Sequence, residues 1–149
     1  MPSAIESALI RATRTSRQLC RKSATEPRFF ASHRLTVDAY CLQHPDVYMR
    51  STKSAAAHLA AMCWSMERGP SKHVPTVLKR WLDGPQHYTR LTPPAPLCRG
   101  DLTVRHVLGV DDPAEYATRA LEWAGSAWQA WSEHHDQARR WVSEALSGR

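Results

Sequence analysis

Four of the eight histidines in this 149-residue chain fall on or beside the apolar faces of helical segments. In FFASHRLTVDAYCLQ, helical spacing puts Phe30, His33, Val37, Tyr40 and Cys41 on one face. In AAAHLAAMCWSMER the corresponding stripe is Ala55, His58, Leu59, Met62 and Met66. Near the C-terminus Ala120, Ala124, Ala127, Trp131, Ala138, Trp141 and Ala145 recur at steps of three, four or seven, with His134 on that line and His135 beside it. Three packed helices would bring His33, His58 and either His134 or His135 to one level of a bundle. Neutral imidazoles suit a divalent transition metal such as Zn, Fe, Ni or Cu, and bundles build such sites from facing helices. His33, His58, His134 and His135 are therefore the candidate ligands, with His44 as a further one.

Two other readings use the same residues. A buried imidazole is also satisfied by donating to a carbonyl or carboxylate, which makes it a polar core residue and nothing more. Alternatively Asp38 or Asp136 orients an imidazole for acid–base work, so that Asp38, His134 and His135 become catalytic candidates. The spacing matches neither H-E-x-x-H nor a pair of E-x-x-H motifs. There is no Gly-rich phosphate loop, no G-x-S-x-G and no paired-carboxylate constellation. Cys41 and Cys63 read as small hydrophobes rather than nucleophiles.

The elements that would position these residues are all helical. A basic helix is expected over residues 3–22, and a second from Pro27 to the helix-hostile His44-Pro45. A third follows Ser51 as its cap and stops at Gly69-Pro70. PTVLKRWL forms a shorter helix ended by Gly84-Pro85. QHYTRLTPPAPLCRG holds too many prolines to be regular and is expected to lie across the bundle as a loop. LTVRHVLG reads as a short helical turn. Asp112, Pro113 and Glu115 make a capping box for a last helix running to Gly148, with a kink expected near Gly125-Ser126. Gly125 is either a weak spot or a close-packing point.

Hydrophobic residues make up 42% of the chain, which fits an ordinary globular domain. No apolar run reaches the roughly 20 residues that span a bilayer. The four cysteines, Cys20, Cys41, Cys63 and Cys98, form no C-x-x-C pair, against a zinc ribbon or disulfide framework and for free thiols in a reducing cytoplasm. The net charge of +6 is concentrated at the start, where Arg11, Arg14, Arg17 and Arg21 form one stripe. That stripe reads as a solvated face, or as a surface for an acidic partner; no motif supports nucleic-acid binding. Six tryptophans, Trp64, Trp81, Trp123, Trp128, Trp131 and Trp141, cover more than one face of the last helix. They must be covered in turn by the bundle or by a partner.

The segment HRLTVDAYCLQHP (His33 to Pro45) resembles the central signature of an uncharacterised bacterial family, the domain-of-unknown-function family numbered 5946. The resemblance continues through SAAAHLAAM, the loop LTPP…GDLTV and the terminal WAGSAWQAWSEHHDQARRW. It implies no activity, and marks His33, Asp38, Tyr40, Gln43, His44, His58, His134 and His135 as signature positions. Many similar proteins open with a paired-cysteine segment; this chain has a basic helix and a single Cys20 there. That departure leaves histidines as the ligands the resemblance implies.

The expectation is an all-α, single-domain bundle of about five helices over residues 1–149, with a basic helix at 1–24, a core bundle at 27–147, a long C-terminal helix and a proline-rich loop. The expected function is a cytoplasmic protein with a histidine-lined pocket for a metal ion or small molecule. The alternative is a non-enzymatic adaptor that binds a protein through its basic helix and exposed tryptophans.

Overall fold

The structure of the protein, a computed structural model, describes residues 30–69 and 73–148, with the side chains of Phe30, Ala31 and His33 outside that description. The basic helix at 1–24 and its arginine stripe also lie outside the described residues. Within them the chain is all-α and no strand occurs.

Helix boundaries fall at the expected breakers, for local reasons. Helix α1 (Phe30–Gln43) ends because Pro45 has no N–H to give back to the carbonyl of Cys41. The His44 N–H is instead shared between the carbonyls of Tyr40 and Cys41, at 3.1 Å each. Pro45 then opens the single turn α2 (Pro45–Tyr48). Helix α3 (Thr52–Arg68) starts at Ser51, whose hydroxyl accepts the Ser54 N–H at 3.0 Å. It stops at Gly69, which supplies the positive φ of 80° that a side chain would resist. Helix α4 (Val74–Leu82) carries Pro75 in its first turn. Helix α5 (Pro113–Ala130) is capped by Asp112, whose carboxylate accepts the Glu115 N–H at 2.8 Å. Glu115 itself pairs forward with Arg119 at 2.8 Å, so the capping box is formed from the Asp112 side.

The last helix departs from expectation. Helix α5 passes unbroken through Gly125, and the chain turns further on, in a 3-10 turn at Ser132–His134, before α6 (His135–Ser147). The cause lies in the side chains at the join. Trp131 leaves the helical path and donates its indole N–H to the carbonyl of Leu42, at 3.0 Å. That carbonyl belongs to the last turn of α1, where intrahelical donors run out. His135 stacks on Trp128, with ring centroids 3.7 Å apart, and its Nε2–H donates to the Trp128 carbonyl at 2.8 Å. Both contacts need a break at residues 131–134; neither needs one at Gly125.

Helix α1 packs chiefly on α5 and α3, and α3 packs on α6 and α4. Alanines on the facing surfaces, among them Ala56, Ala60, Ala120, Ala124 and Ala138, are fully buried and let the backbones approach. The tryptophans fill the remaining space. All six are buried, none more than 8% exposed, which corrects the expectation of exposed tryptophans for partner binding. The bundle covers both faces of the last helices itself.

The proline-rich segment between α4 and α5 is irregular apart from two 3-10 turns, Pro96–Cys98 and Val104–His106. Gln43, at the end of α1, fastens it. The Gln43 amide donates to the carbonyls of Arg99 and Leu102, at 2.9 and 2.6 Å, and its Oε1 accepts the Trp123 indole N–H at 2.9 Å. The loop approaches α5 most closely at Gly100, whose φ is 105°. A Cβ there would stand 2.7 Å from Ser126 Oγ and 2.9 Å from its carbonyl oxygen. No helix among the described residues is long and apolar enough to cross a membrane.

Gly100, not Gly125, is the close-packing point, since a Cβ on Gly125 would meet nothing within 4 Å. Gly125→Ala should raise stability by about 0.5–1 kcal/mol in urea denaturation, because it removes unfolded-chain freedom at no steric cost. Gly100→Ala should lower it by more than about 1 kcal/mol, since strain and collision add. Equal effects of the two changes would contradict this packing.

Candidate functional site

The most buried ionisable side chain on α1 is Asp38, only 2% exposed. It lies three residues before Cys41, so the two share a face, and that face is turned to α3, where His58 projects. The His58 Nδ1–H donates to Asp38 Oδ1 at 2.8 Å. Cys41, on the same face of α1, adds to the electrostatic pull on the imidazole. Arg34, one turn before Asp38, approaches the second carboxylate oxygen, with its Nε 3.6 Å from Oδ2. Cys41 is 4% exposed and His58 23% exposed, so the imidazole forms the outward edge of the group.

Electrostatics favour a charged imidazole. Burial on its own lowers the pKa of His58, but the hydrogen bond to Asp38 and its negative charge, with a contribution from Cys41, outweigh it. His58 is pushed up to about 10, against about 6.5 for a free imidazole. A pKa raised by folding contributes stability that is fully present below the unfolded value and disappears as pH climbs through the folded one. The window here is about pH 6.5 to 10. Cys63 differs: burial and then the neighbouring Glu67 carboxylate push its thiol up to about 12, so it stays protonated.

The remaining expected site residues are held elsewhere. His134 donates from Nε2 to the Thr92 carbonyl at 2.8 Å and so pins the proline-rich loop. It lines a cleft of about 320 Å³ with Thr92, Pro94, Cys98 and Glu133. His135 is committed to Trp128, as described above. His44 packs against Tyr40 at a tilt, ring centroids 4.4 Å apart, and is kept below the ordinary imidazole value by burial and then by the charge of Arg99. Asp136 pairs with Arg139 at 2.8 Å rather than with a histidine. The His33 side chain lies outside the described residues. His58, His134 and His135 thus serve three separate partners. Among the described residues no group of three or more His, Cys, Asp or Glu side chains stands ready to hold a metal ion.

Of the readings open from the sequence, the Asp38 dyad is the one whose two members meet. Sequence reasoning missed Gln43 as the anchor of the loop, for which helical periodicity carries no signal.

Fold and geometry together define a small all-α bundle with a carboxylate–imidazole pair between its first and third helices. The chain belongs to the family described as "Family of unknown function (DUF5946)", whose family model matches residues 13–132. No curated protein and no solved structure matches it.

An NMR titration of the His58 ring should show a midpoint near pH 10, and Asp38→Asn should bring it back towards about 6.5. Thermal stability should hold up to about pH 6.5 and fall as the pH rises to about 10. A His58 midpoint below 7 in the unaltered protein would contradict this electrostatic picture.

Proposed function

We propose that the protein is a small-molecule enzyme whose working group is a Cys41 thiolate paired with the His58 imidazolium and oriented by Asp38. A neighbouring imidazolium favours the thiolate, which is the nucleophilic form of cysteine. The thiolate would attack an electrophilic carbon of the substrate, and His58 would pass its proton to the leaving group. Asp38 would fix the ring and hold its charge.

The observation that carries this reading is the 2.8 Å bond from His58 Nδ1 to Asp38 Oδ1, formed on the helix face that also carries the buried Cys41. The same chemistry weighs against the metal version. Ligation requires a neutral imidazole, and the surroundings of His58 favour its protonated form at neutral pH. Cys41, Cys63 and Cys98 are all free thiols, which supports placing this chemistry in a reducing cytoplasm.

The test is alkylation of a Cys20→Ser/Cys98→Ser protein by iodoacetamide, read by peptide mass mapping. At pH 7 Cys41 should label at least about tenfold faster than Cys63, since thiolate fraction sets the rate. His58→Gln should slow Cys41 by about the same factor while thermal melting still shows a folded protein. Labelling of Cys41 no faster than Cys63, or a rate indifferent to His58→Gln, would overturn the proposal.

A further inference from the structure

The loop segment Arg90-Leu91-Thr92-Pro93-Pro94-Ala95-Pro96 has no helical or ladder hydrogen bonds, yet covalent chemistry restricts its backbone closely. The rings of Pro93, Pro94 and Pro96 fix φ near about −65°. Thr92, Pro93 and Ala95 each precede a proline, which drives them to extended ψ. Ala95 has φ −56° and ψ 148°, in the polyproline II region. The segment is thereby set as a short polyproline II helix, with about three residues per turn.

Such a helix has three edges, and here their exposure differs. Leu91 and Pro94 share one edge; both are half-buried, and Leu91 packs on the core. Thr92 and Ala95 share the second edge, and both are exposed. Arg90, Pro93 and Pro96 share the third; Pro93 is half-buried, whereas Arg90 and Pro96 are exposed. Three carbonyls fasten the segment to the protein. Thr92 accepts from His134 at 2.8 Å, Pro94 from Arg99 at 3.0 Å and Ala95 from the Cys98 N–H at 2.8 Å. Just beyond, Leu97 is fully exposed. The segment is thus held through one edge and its backbone, while the other two edges look outward.

The outward edges carry two x-Pro pairs, Thr92-Pro93 and Ala95-Pro96, in the P-x-x-P spacing that aromatic-lined grooves of the SH3 kind accept. A groove of that kind seats each pair between aromatic rings and leaves the third edge, here Leu91 and Pro94, pointing away from it. Little ordering is needed on binding, because the helix is already formed and tied down. Arg90 lies three residues before Pro93 and is exposed, and it makes no hydrogen bond or ion pair to a described residue. A polyproline II helix has nearly the same outline in either chain direction, so a free charge at one end sets which way it seats. We infer that residues 90–96 are the docking ligand for a protein domain with an aromatic-lined groove and a carboxylate on its rim, where Arg90 is met. None of these residues belongs to the Asp38–His58 group, so the inference stands apart from the thiolate reading.

The probe is a purified SH3 domain that prefers a basic residue ahead of P-x-x-P. It is titrated into the isotope-labelled intact protein and, in parallel, into a synthetic peptide of residues 87–98, with amide shifts followed by NMR. The shifts in the protein should centre on residues 90–98 with a Kd below about 1 mM, and the intact protein should bind at least as tightly as the peptide. Pro96→Ala and Arg90→Glu should each weaken binding at least about fivefold, as anchor side chains do, whereas Pro94→Ala on the inner edge should change it by less than about twofold. Thermal melting should be unchanged in Arg90→Glu, since that side chain holds nothing in the fold. Binding by the peptide but not by the intact protein would show that the bundle closes off the outward edges, and would overturn the inference. So would binding by neither, or Pro94→Ala matching Pro96→Ala. Shifts at residues 90–98 on concentrating the protein alone would assign this face to a second copy and overturn it as well.

Discussion

An ionised carboxylate withdrawn from water costs several kcal/mol unless a partner of opposite charge and good geometry meets it. Asp38 is such a carboxylate, at 2% exposure in the middle of α1. It fixes where α3 must present His58, because the imidazole supplies the one short hydrogen bond it receives from a described residue, at 2.8 Å. Cys41 lies one turn further along the same face. The relative placement of α1 and α3 and the charge state of His58 are two consequences of that buried charge.

The end of the same helix imposes a second requirement. Pro45 removes a donor and the last carbonyls of α1 are left to find partners. Trp131 satisfies Leu42, while Trp123 and the loop carbonyls of Arg99 and Leu102 satisfy the side chain of Gln43. The stretch from Asp38 to Pro45 thus divides by chemistry. Asp38 faces His58, Tyr40 and His44 pack ring to ring at a tilt, and Leu42 and Gln43 bind the C-terminal half of the protein to the N-terminal half. The signature segment holds both a buried ion pair and the ties that join the two halves of the bundle.

Much of the fold was legible in the residues. Ser51, Asp112-Pro113 and Pro45 mark helix ends through local chemistry that tertiary packing does not override, and the stripe from Ala120 to Ala145 is buried except at His134. The break at Ser132–His134 was not legible, because it answers to a carbonyl 89 residues away in sequence. The histidines show the same division. Periodicity states which face of a helix a ring lies on; it does not state its height along the bundle or which carbonyl is left over nearby. His134 and His135 found carbonyls at Thr92 and Trp128, and His58 found a carboxylate. Asp38 was recognisable as a dyad partner because it could pair with only a few cations at interior positions. Cys41 reads as a core residue and is buried as one, at 4% exposure.

The central claim is that Asp38 and His58 form a coupled, charged pair. A double-mutant cycle with Asp38→Asn, His58→Gln and the combined protein, measured by urea denaturation at pH 7, tests it most directly. A coupling energy of about 1.5–3 kcal/mol is predicted, as for a hydrogen bond between charged groups in a largely buried setting. It should diminish at a pH above 10, where the imidazolium loses its proton. A coupling energy within about 0.5 kcal/mol of zero at pH 7 would contradict the account.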